Sequence, residues 1–307
     1  MIRLKAQLHP RVWGGHRLAE GPDQIGEAWV VYGGNTIEGG PHHGVTLDEL
    51  VHEHRNWLLG SRGEQHPQFP LLIKLLDCQD WLSIQVHPND EQAVKWHGPG
   101  HQGKTEAWHI LNAEKDAQVM LGIREGTTPQ DLREAILAAQ VEPLCEYQNV
   151  SVGDTLYIPA GTLHALGPGL LIYEVQQTSD LTYRVFDWDR PQSAGRTLHL
   201  EQSAEVTRAD LRGEVHPLPD VHGTGVHRLV TSPYFQTELL HLESAVDAQT
   251  SGETFHVLTV TQGEVQVKGE DMFHLKPHET VLVPAAPTDY SLVPLTGSAR
   301  ILRSTLP

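Results

Sequence analysis

Four side chains of types that bind metal ions lie in three separate segments of the sequence. Gln85 and His87 stand two positions apart in the strand-like run LSIQVHPND, so both point to the same face. Glu106 lies in GKTEAWHIL, and His164 follows the Pro-Ala-Gly bend at 159–161 in GDTLYIPAGTLHAL. Because proline fixes φ and glycine permits a tight turn, the bend presents His164 at a strand end. Imidazole and carboxylate ligands without a thiolate suit zinc, and also iron, manganese or nickel.

The charge of this ligand set indicates a reactive metal ion rather than a structural one. Gln85 and two neutral imidazoles add no charge and Glu106 adds one negative charge, so a divalent ion would keep a net charge of about +1. Structural zinc sites more often use four Cys and His ligands, thiolates among them. The set therefore suits a Lewis acid beside an oxyanion.

Ligands on three strands converge only if a closed barrel surrounds them, so the elements must be mostly strands. Short strands with Gly-rich turns are predicted over residues 1–40, and a further strand over Leu71–Leu76. From Val150 to Asp187 the pattern is almost wholly strand and turn. The predicted helices are Thr46–Leu59, Asn89–Trp96, one that begins at Thr128-Pro129 with Leu132, Ile136 and Ala139 on its apolar face, and Leu198–Leu211.

The helix over Thr46–Leu59 has the clearest signals at both ends. Thr46 and Glu49 form a capping box, and Gly60 ends the helix. Its predicted apolar face consists of Leu47, Leu50, Val51, Trp57 and Leu58.

Taken together, the motifs resemble those of type I mannose-6-phosphate isomerases of the cupin superfamily, in their short bacterial form. The matching segments are Phe69–Asp90, Gly103–Trp108, Gly153–Leu166 and Leu171–Arg190, and four ordered motifs are far more specific than any one of them. The resemblance implies an all-β core of two cupin-like, jelly-roll barrels with peripheral helices. We expect a catalytic barrel with helical insertions over 1–211, a linker over 212–225, and a second barrel over 226–307.

The same resemblance implies a metal-dependent interconversion of mannose 6-phosphate and fructose 6-phosphate. One Zn²⁺ per chain would be bound by Gln85, His87, Glu106 and His164. The remaining implied site residues are Lys104 for proton transfer or ring opening, Glu174 as a candidate base, Arg184 for substrate charge, and Lys74 as an inward charge that binds substrate.

Other interpretations of these charged residues stay open. Glu174 and Arg184 interrupt apolar strands, and a salt-bridged pair at a strand end would give the same pattern. Lys74 fits equally an edge or snorkelling lysine. In longer family members a His precedes the Lys-Pro-Glu unit, whereas here Gly103 precedes Lys104, so the general base is unassigned.

The last third of the chain contains a degenerate copy of the first barrel. Phe255–Val267 resembles Trp108–Val119, and Leu275–Tyr290 resembles Val150–Ala165. The alignment places Asp289 on His164, Ala286 on Gly161 and Glu253 on Glu106, with no Gln-x-His before it. We therefore predict a metal-free second barrel. The alternative is a residual site built from His241, Glu253 and Asp289.

Composition limits the partners. A net charge of −17 argues against nucleic acid and anionic membrane, and no apolar run approaches the ~20 residues of a membrane helix. An anionic sugar phosphate then needs local positive charge, which the metal ion, Lys74, Lys104 and Arg184 would supply. Two cysteines, Cys78 and Cys145, and an N-terminal stretch without a signal-peptide centre favour a cytoplasmic monomer or homodimer.

Two other functions fit the sequence less well. A cupin oxygenase that uses iron typically supplies two or three His from its first motif, which this chain lacks. A non-catalytic sugar-binding or regulatory relative has no need for the charged set Lys74, Lys104, Glu174 and Arg184.

Overall fold

A computed structural model describes residues 1–191 and 196–307. Its helices are α1 (Leu47–Leu59), α2 (Asp90–His97), α3 (Pro129–Leu137) and α4 (Leu200–Val206), with 3₁₀ turns at Ser61–Gly63 and Glu142–Leu144. The first strands are β1 (Arg3–Leu4), β2 (Gln7–Gly15), β3 (Ile25–Val31), β4 (Ile37–Glu38), β5 (Leu71–Cys78), β6 (Ile84–Val86), β7 (Glu106–Ala113), β8 (Gln118–Ile123), β9 (Cys145–Asn149), β10 (Thr155–Ile158), β11 (His164–Leu166), β12 (Leu170–Gln177) and β13 (Tyr183–Phe186). The later strands are β14 (Glu214–His216), β15 (Gly225–Thr231), β16 (Gln236–Leu242), β17 (Val246–Thr250), β18 (His256–Gln262), β19 (Val265–Lys268), β20 (Met272–Leu275), β21 (Thr280–Val283), β22 (Thr288–Pro294) and β23 (Ala299–Thr305).

Strands dominate the structure, at 42% of residues against 14% in helices, which confirms the predicted all-β core with peripheral helices. The chain forms two compact units. The first unit contains Met1–Gln7, Trp29–Lys74 and Pro219–Pro307. The second contains Leu8–Ala28 and Leu75–Leu218. Boundaries between the units therefore fall inside β3 and β5. Both strands lie in the range 1–211, for which the sequence predicts one continuous catalytic domain.

The second unit is built on two sheets that share a core. The larger sheet has the strand order β14-β10-β7-β12-β5-β2-β3, and the smaller has the order β13-β6-β11-β8-β9. Apolar side chains of both sheets pack in one cluster, among them Trp108 and Ile172 from the larger sheet and Leu121 and Leu166 from the smaller. The smaller sheet therefore turns one face toward the larger sheet.

The other face of the smaller sheet is covered by α3 and α4. Ile84 and Val86 of β6, Ala165 of β11 and Tyr183 of β13 pack there in a cluster that also holds helical side chains. Because successive residues of a strand point to opposite faces, the residues between them point toward the larger sheet. Those residues include Gln85, His164 and Arg184.

The first unit contains two further sheets with their own core. Their strand orders are β15-β16-β23-β18-β21 and β17-β22-β19-β20. Leu258 and Ile301 of the former and Val267 and Leu292 of the latter belong to one buried cluster. A bridge between Ile2 and Leu282 brings the N-terminal segment onto β21. Residues near both ends of the sequence thus belong to one folded unit.

Helix α1 begins and ends as predicted, and its buried face differs from the prediction in the last turn. Thr46 and Glu49 form the capping box, and the helix stops at Gly60. Leu59 is buried, however, and Trp57, placed on the apolar face by its spacing, is exposed. His54 has non-helical backbone angles of φ −133° and ψ 38°, and this kink shifts the phase of the last turn.

The other helices follow their predicted starts more closely than their ends. Asn89 caps α2 with a capping box to Gln92, and Thr128 caps α3 ahead of Pro129. Leu132 and Ile136 are buried as predicted, whereas Ala139 lies beyond the helix with a φ of 54°. The helix predicted over Leu198–Leu211 is confined to Leu200–Val206.

The predicted linker over 212–225 is partly a strand. Within it, β14 pairs with β10, with Val215 opposite Leu156, and the boundary between the units falls after Leu218. Its Pro, Gly and His content gave no strand signal because β14 has only three residues. Both cysteines are buried free thiols. Across the described ranges, the helices lack the combination of length and apolar character that crossing a membrane requires.

Candidate metal centre and active site

His87, Glu106 and His164 meet inside the second unit. One ligand atom from each lies within 4.8 Å of the others, and all three side chains are at most 1% exposed. The Nε2 atom of His87 is 3.5 Å from one carboxylate oxygen of Glu106, and the Nε2 atom of His164 is 3.3 Å from the other. In the described part of the chain, no other group of His, Cys, Asp and Glu residues meets the same distance criterion. The three residues lie at the ends of β6, β7 and β11.

Backbone carbonyls fix which nitrogen of each imidazole faces Glu106. The Nδ1–H of His87 donates to the carbonyl of Leu181 at 2.8 Å, and that of His164 donates to the carbonyl of Thr162 at 2.9 Å. A carbonyl can only accept, so the Nε2 atoms carry the lone pairs. Burial lowers the pKa of His164 to about 4, which keeps its ring neutral. This is the state in which histidine binds a metal ion.

The carboxylate of Glu106 supplies the test of whether a metal ion fits. It is fully buried, and neither oxygen accepts a hydrogen bond of acceptable geometry, although the Lys104 ammonium is 2.6 Å from Oε2. Lys104 compensates the charge at Oε2, while Oε1 faces the neutral ring of His164 and has no hydrogen-bond partner among the described residues, which is costly for a buried anion. Two Nε2 lone pairs and this carboxylate converge on the same point. The donor set therefore fits a divalent cation.

Gln85, His164 and Arg184 occupy one rung across three adjacent strands. Gln85 of β6 pairs with His164 of β11 on one side and with Arg184 of β13 on the other. Cross-strand partners share a face, so all three side chains point toward the larger sheet. The amide Nε2 of Gln85 is 3.3 Å from the Nε2 of His164. The rung places Gln85 between His164 on one side and Arg184 on the other.

Lys104 also lies at the centre. Its Nζ is 3.1 Å from the Nε2 of His87, and the side chain is only 3% exposed. Its Nζ is also 2.6 Å from Oε2 of Glu106. The structure thus places the Lys104 ammonium in contact with Glu106 and His87, and its role in proton transfer or ring opening stays a prediction.

Glu174 is linked to His164 through Trp108, a residue for which the sequence predicted no role. Trp108 and Glu174 are opposite each other on β7 and β12, and the indole Nε1–H donates to the Glu174 carboxylate at 2.9 Å. The same indole lies edge-on to the ring of His164, with centroids 5.4 Å apart. Trp108 stands two residues after Glu106 and so shares its face, which is the signal that could have identified it.

Arg184 is partly buried and faces the same side. Its Nε is buried without a hydrogen-bond partner among the described residues. Burial lowers the pKa of its guanidinium, and the neighbouring Arg196 lowers it further. Its backbone N–H donates to the Nδ1 of His199 at 3.4 Å. The guanidinium therefore has capacity for an anion.

Lys74 lies in the first unit and takes no part in the contacts described above. It is 4% exposed, and its Nζ is 5.2 Å from the centre of the Trp29 ring. Its predicted role in substrate binding stays a prediction.

Two of the three residues considered for a second metal site have other partners. The Nδ1–H of His241 donates to the carbonyl of Gly223, and Glu253 forms an ion pair with Arg62. The strand register also differs from the repeat alignment, because His256 is opposite Val283 in the way that Glu106 is opposite Ile158. The register thus makes His256, three residues after Glu253, the counterpart of Glu106.

Comparison with known proteins adds the family. The family model for the phosphomannose isomerase type I catalytic domain matches residues 1–109. The mannose-6-phosphate isomerase of Streptococcus mutans is 35% identical over 92% of this chain and 91% of its own length. The mannose-6-phosphate isomerase ManA of Bacillus subtilis is 35% identical over 94% of each. A crystal structure of the Bacillus subtilis mannose 6-phosphate isomerase has a TM-score of 0.87 at 30% identity, covering 99% of this chain and 98% of that one. The chain belongs to the family of type I mannose-6-phosphate isomerases, which are aldose–ketose isomerases.

Proposed function

We propose that the chain interconverts mannose 6-phosphate and fructose 6-phosphate through a cis-enediolate. The observation that carries the proposal is the buried group of His87, Glu106 and His164 with Lys104 in contact. Membership of an isomerase family agrees with it. The second unit would carry the catalysis, because all of these residues belong to it.

One zinc ion per chain would be bound by Gln85, His87, Glu106 and His164. When bound, the ion supplies positive charge that stabilises the negative charge developing on the substrate oxygens at C1 and C2. Gln85 completes the set because its amide can present either its oxygen or its nitrogen after a half-turn of the last torsion angle. The carbonyls of Leu181 and Thr162 keep both imidazoles oriented.

The proton transfer falls to Lys104 and Glu174. A base removes the proton from C2, the C1–C2 double bond forms, and the aldehyde electron pair moves onto O1. The same proton count is restored when C1 is protonated, the C2 hydroxyl loses its proton to become the ketone, and O1 gains a proton to become a hydroxyl, so no external oxidant is needed. Glu174 is the carboxylate candidate for the base, held by Trp108, and Lys104 is the ammonium candidate for the acid.

Arg184 would bind substrate charge, either on the enediolate or on the phosphate. Its face is set by the rung that it shares with Gln85 and His164, and its buried Nε has hydrogen-bonding capacity. A planar guanidinium can pair with two oxygens at once. Together with Lys104 and Lys74 it would offset the repulsion of an anionic substrate by a chain of net charge −17.

A coupled isomerase assay combined with metal analysis tests this function. We expect turnover with mannose 6-phosphate, far less with glucose 6-phosphate, and loss of activity when the metal ion is removed by a chelator. Turnover restored by zinc would support the proposed metal. A fully metal-loaded protein that turns over no sugar phosphate would contradict the proposal and favour a sugar-binding relative.

A further inference from the structure

Lys104 stands outside the strands, in a segment that must be held by other means. It lies two residues before β7, in the tripeptide Gly103–Thr105 that follows the loop after α2. A lysine side chain is a flexible chain of four carbons, so the position of its ammonium depends on the position of its backbone. Whatever fixes this tripeptide therefore fixes the ammonium beside His87 and Glu106.

Two side chains hold the peptide groups on either side of Lys104. The carboxylate Oδ1 of Asp90 accepts the N–H of Gly103 at 2.8 Å, and the amide oxygen of Gln177 accepts the N–H of Thr105 at 2.9 Å. The amide nitrogen of Gln177 donates to the same Oδ1 of Asp90 at 2.9 Å. These three hydrogen bonds close a ring around Lys104. Gln177 itself is only 4% exposed.

The surrounding backbone shows how closely the tripeptide is fitted. The N–H of Lys104 donates to the carbonyl of Pro88 at 2.9 Å. A Cβ added at Gly103 would lie 2.5 Å from the carbonyl carbon of Asn89, so this position has room for glycine alone. The Oγ1 of Thr105 accepts the N–H of Ala160, in the bend that presents His164.

We infer that Asp90 and Gln177 act together as positioning residues that hold the Lys104 ammonium at the metal ligands. This inference rests on the proposed function, in which Lys104 takes part in proton transfer. Without the pair, the N–H groups of Gly103 and Thr105 lose their acceptors and the segment can shift. A displacement of about 1 Å in a catalytic group costs on the order of 100-fold in rate.

A reciprocal exchange of amide and carboxylate tests the pair. Gln177→Glu removes the donor and places two carboxylates against each other. Adding Asp90→Asn removes the contact between like charges, because the amide nitrogen at position 90 can turn to donate to the carboxylate at 177 while the amide oxygen accepts from Gly103. We expect Gln177→Glu to lower kcat by roughly 10- to 100-fold, and the double variant to recover most of it. The metal content should stay at the wild-type level in both.

Hydrogen exchange gives a second measurement that does not depend on activity. The peptide that covers Gly103–Thr105 should exchange faster in Gln177→Glu and return to the wild-type rate in the double variant. If the wild-type protein proves inactive, the proposed function fails, and this exchange measurement still decides whether the pair holds the segment. If Gln177→Glu does not fold, Asp90→Ala removes the shared acceptor from the other side and should give the same faster exchange.

A matched control separates the pair from ordinary helix effects. Asp90 lies in the first turn of α2, where any carboxylate favours the helix dipole. Gln130→Glu with Asp131→Asn makes the same two changes in the exposed first turn of α3, and should leave kcat and exchange at Gly103–Thr105 unchanged. The inference is overturned if Gln177→Glu keeps wild-type kcat and exchange, or if the double variant is no better than the single one.

Discussion

At the scale of single residues, the two histidines of the centre share one arrangement. In each, a backbone carbonyl binds Nδ1 and leaves Nε2 directed at Glu106. Neither ring needs to change tautomer to bind a metal ion, so the site is prepared for the ion before it arrives. The arrangement also requires a buried carboxylate at Glu106. Burying this charge is unfavourable unless cations lie beside it, and a metal ion would add to the compensation that Lys104 provides.

Removing either ring should therefore abolish both metal binding and turnover. We expect His87→Ala and His164→Ala to lower bound zinc below one per chain and to leave no measurable isomerase activity, because the ligand set loses a donor. Metal analysis and the coupled assay measure both effects. His16→Ala, at an exposed histidine of the same unit, is the control and should change neither. Full zinc and turnover in a ligand variant would contradict the assignment.

Arg184 allows a test of geometry at constant charge. Arg184→Lys keeps the positive charge and loses the planar fork that pairs with two oxygens, so we expect kcat/KM to fall by roughly 10- to 100-fold with metal content unchanged. The same exchange at Arg133, exposed on α3, serves as the control. Turnover close to wild type would mean that Arg184 has a structural role.

At the scale of elements, the bend at 159–161 connects the two histidine ligands. The N–H of Gly161 donates to the carbonyl of His87 at 2.9 Å, while the residues after the bend lead into His164. Gly161 has a φ of 91°, a conformation that other residues adopt only with strain. The glycine thus lets a short turn support a ligand on each side.

We expect Gly161→Ala to lower stability by about 1–2 kcal/mol and also to weaken metal binding. Gly126→Ala is the matched control, because Gly126 has a φ of 87° and nothing lies within 4 Å of a Cβ added there. It should lose similar stability and keep wild-type metal affinity. Denaturant unfolding and a metal titration measure the two effects, and equal metal affinity in both variants would contradict a role for the bend in the site.

The sequence predicted the strands and ligands that local pattern determines. Alternation within β6 and the turn before β11 depend on neighbouring residues, so Gln85, His87 and His164 could be proposed as ligands from the sequence. Trp108 and Gln177 could not be given their roles, because their partners lie 66 and 72 positions away. A hydrogen bond between distant strands depends on the register, which a single sequence does not encode in any short window.

At the scale of the whole molecule, one metal ion per chain is the expected stoichiometry. The first unit would be metal-free, since His241 and Glu253 already have other partners. Metal analysis after dialysis should give one zinc per chain, both in the wild type and in Asp289→Ala. A value near two that falls to one in this variant would overturn the prediction.

The stability of the first unit should depend on pH through His256. Burial and, to a smaller extent, the charge of Arg303 lower its pKa from an ordinary 6.5 to about 4. Between pH 6.5 and 4, His256 is protonated in the unfolded chain and neutral in the folded unit. The free energy of unfolding therefore decreases as the pH falls from about 6.5 toward 4. His256→Gln removes the titratable ring. It also removes the hydrogen bond between His256 and Tyr290.

We therefore expect the variant to be less stable than the wild type at pH 7, with a gap that narrows by up to about 2 kcal/mol at pH 5. Free energies of unfolding in urea at the two pH values measure the gap. A gap that stays constant or widens in acid would contradict the assignment to His256.

The division of the chain into two units has a consequence for synthesis. The segments of the two units alternate along the sequence. The first unit consists of positions 1–7, 29–74 and 219–307, and the second unit lies between these segments. Ile2 pairs with Leu282, so the ribosome must add some 280 residues before that pairing can form. During this interval the second unit, with its proposed metal ligands, can complete its sheets, and β1 can pair with β4, while Ile2 still lacks its partner Leu282. A chain cut short after Leu218 would carry the chemistry of the site together with unsatisfied segments that chaperones and proteases recognise.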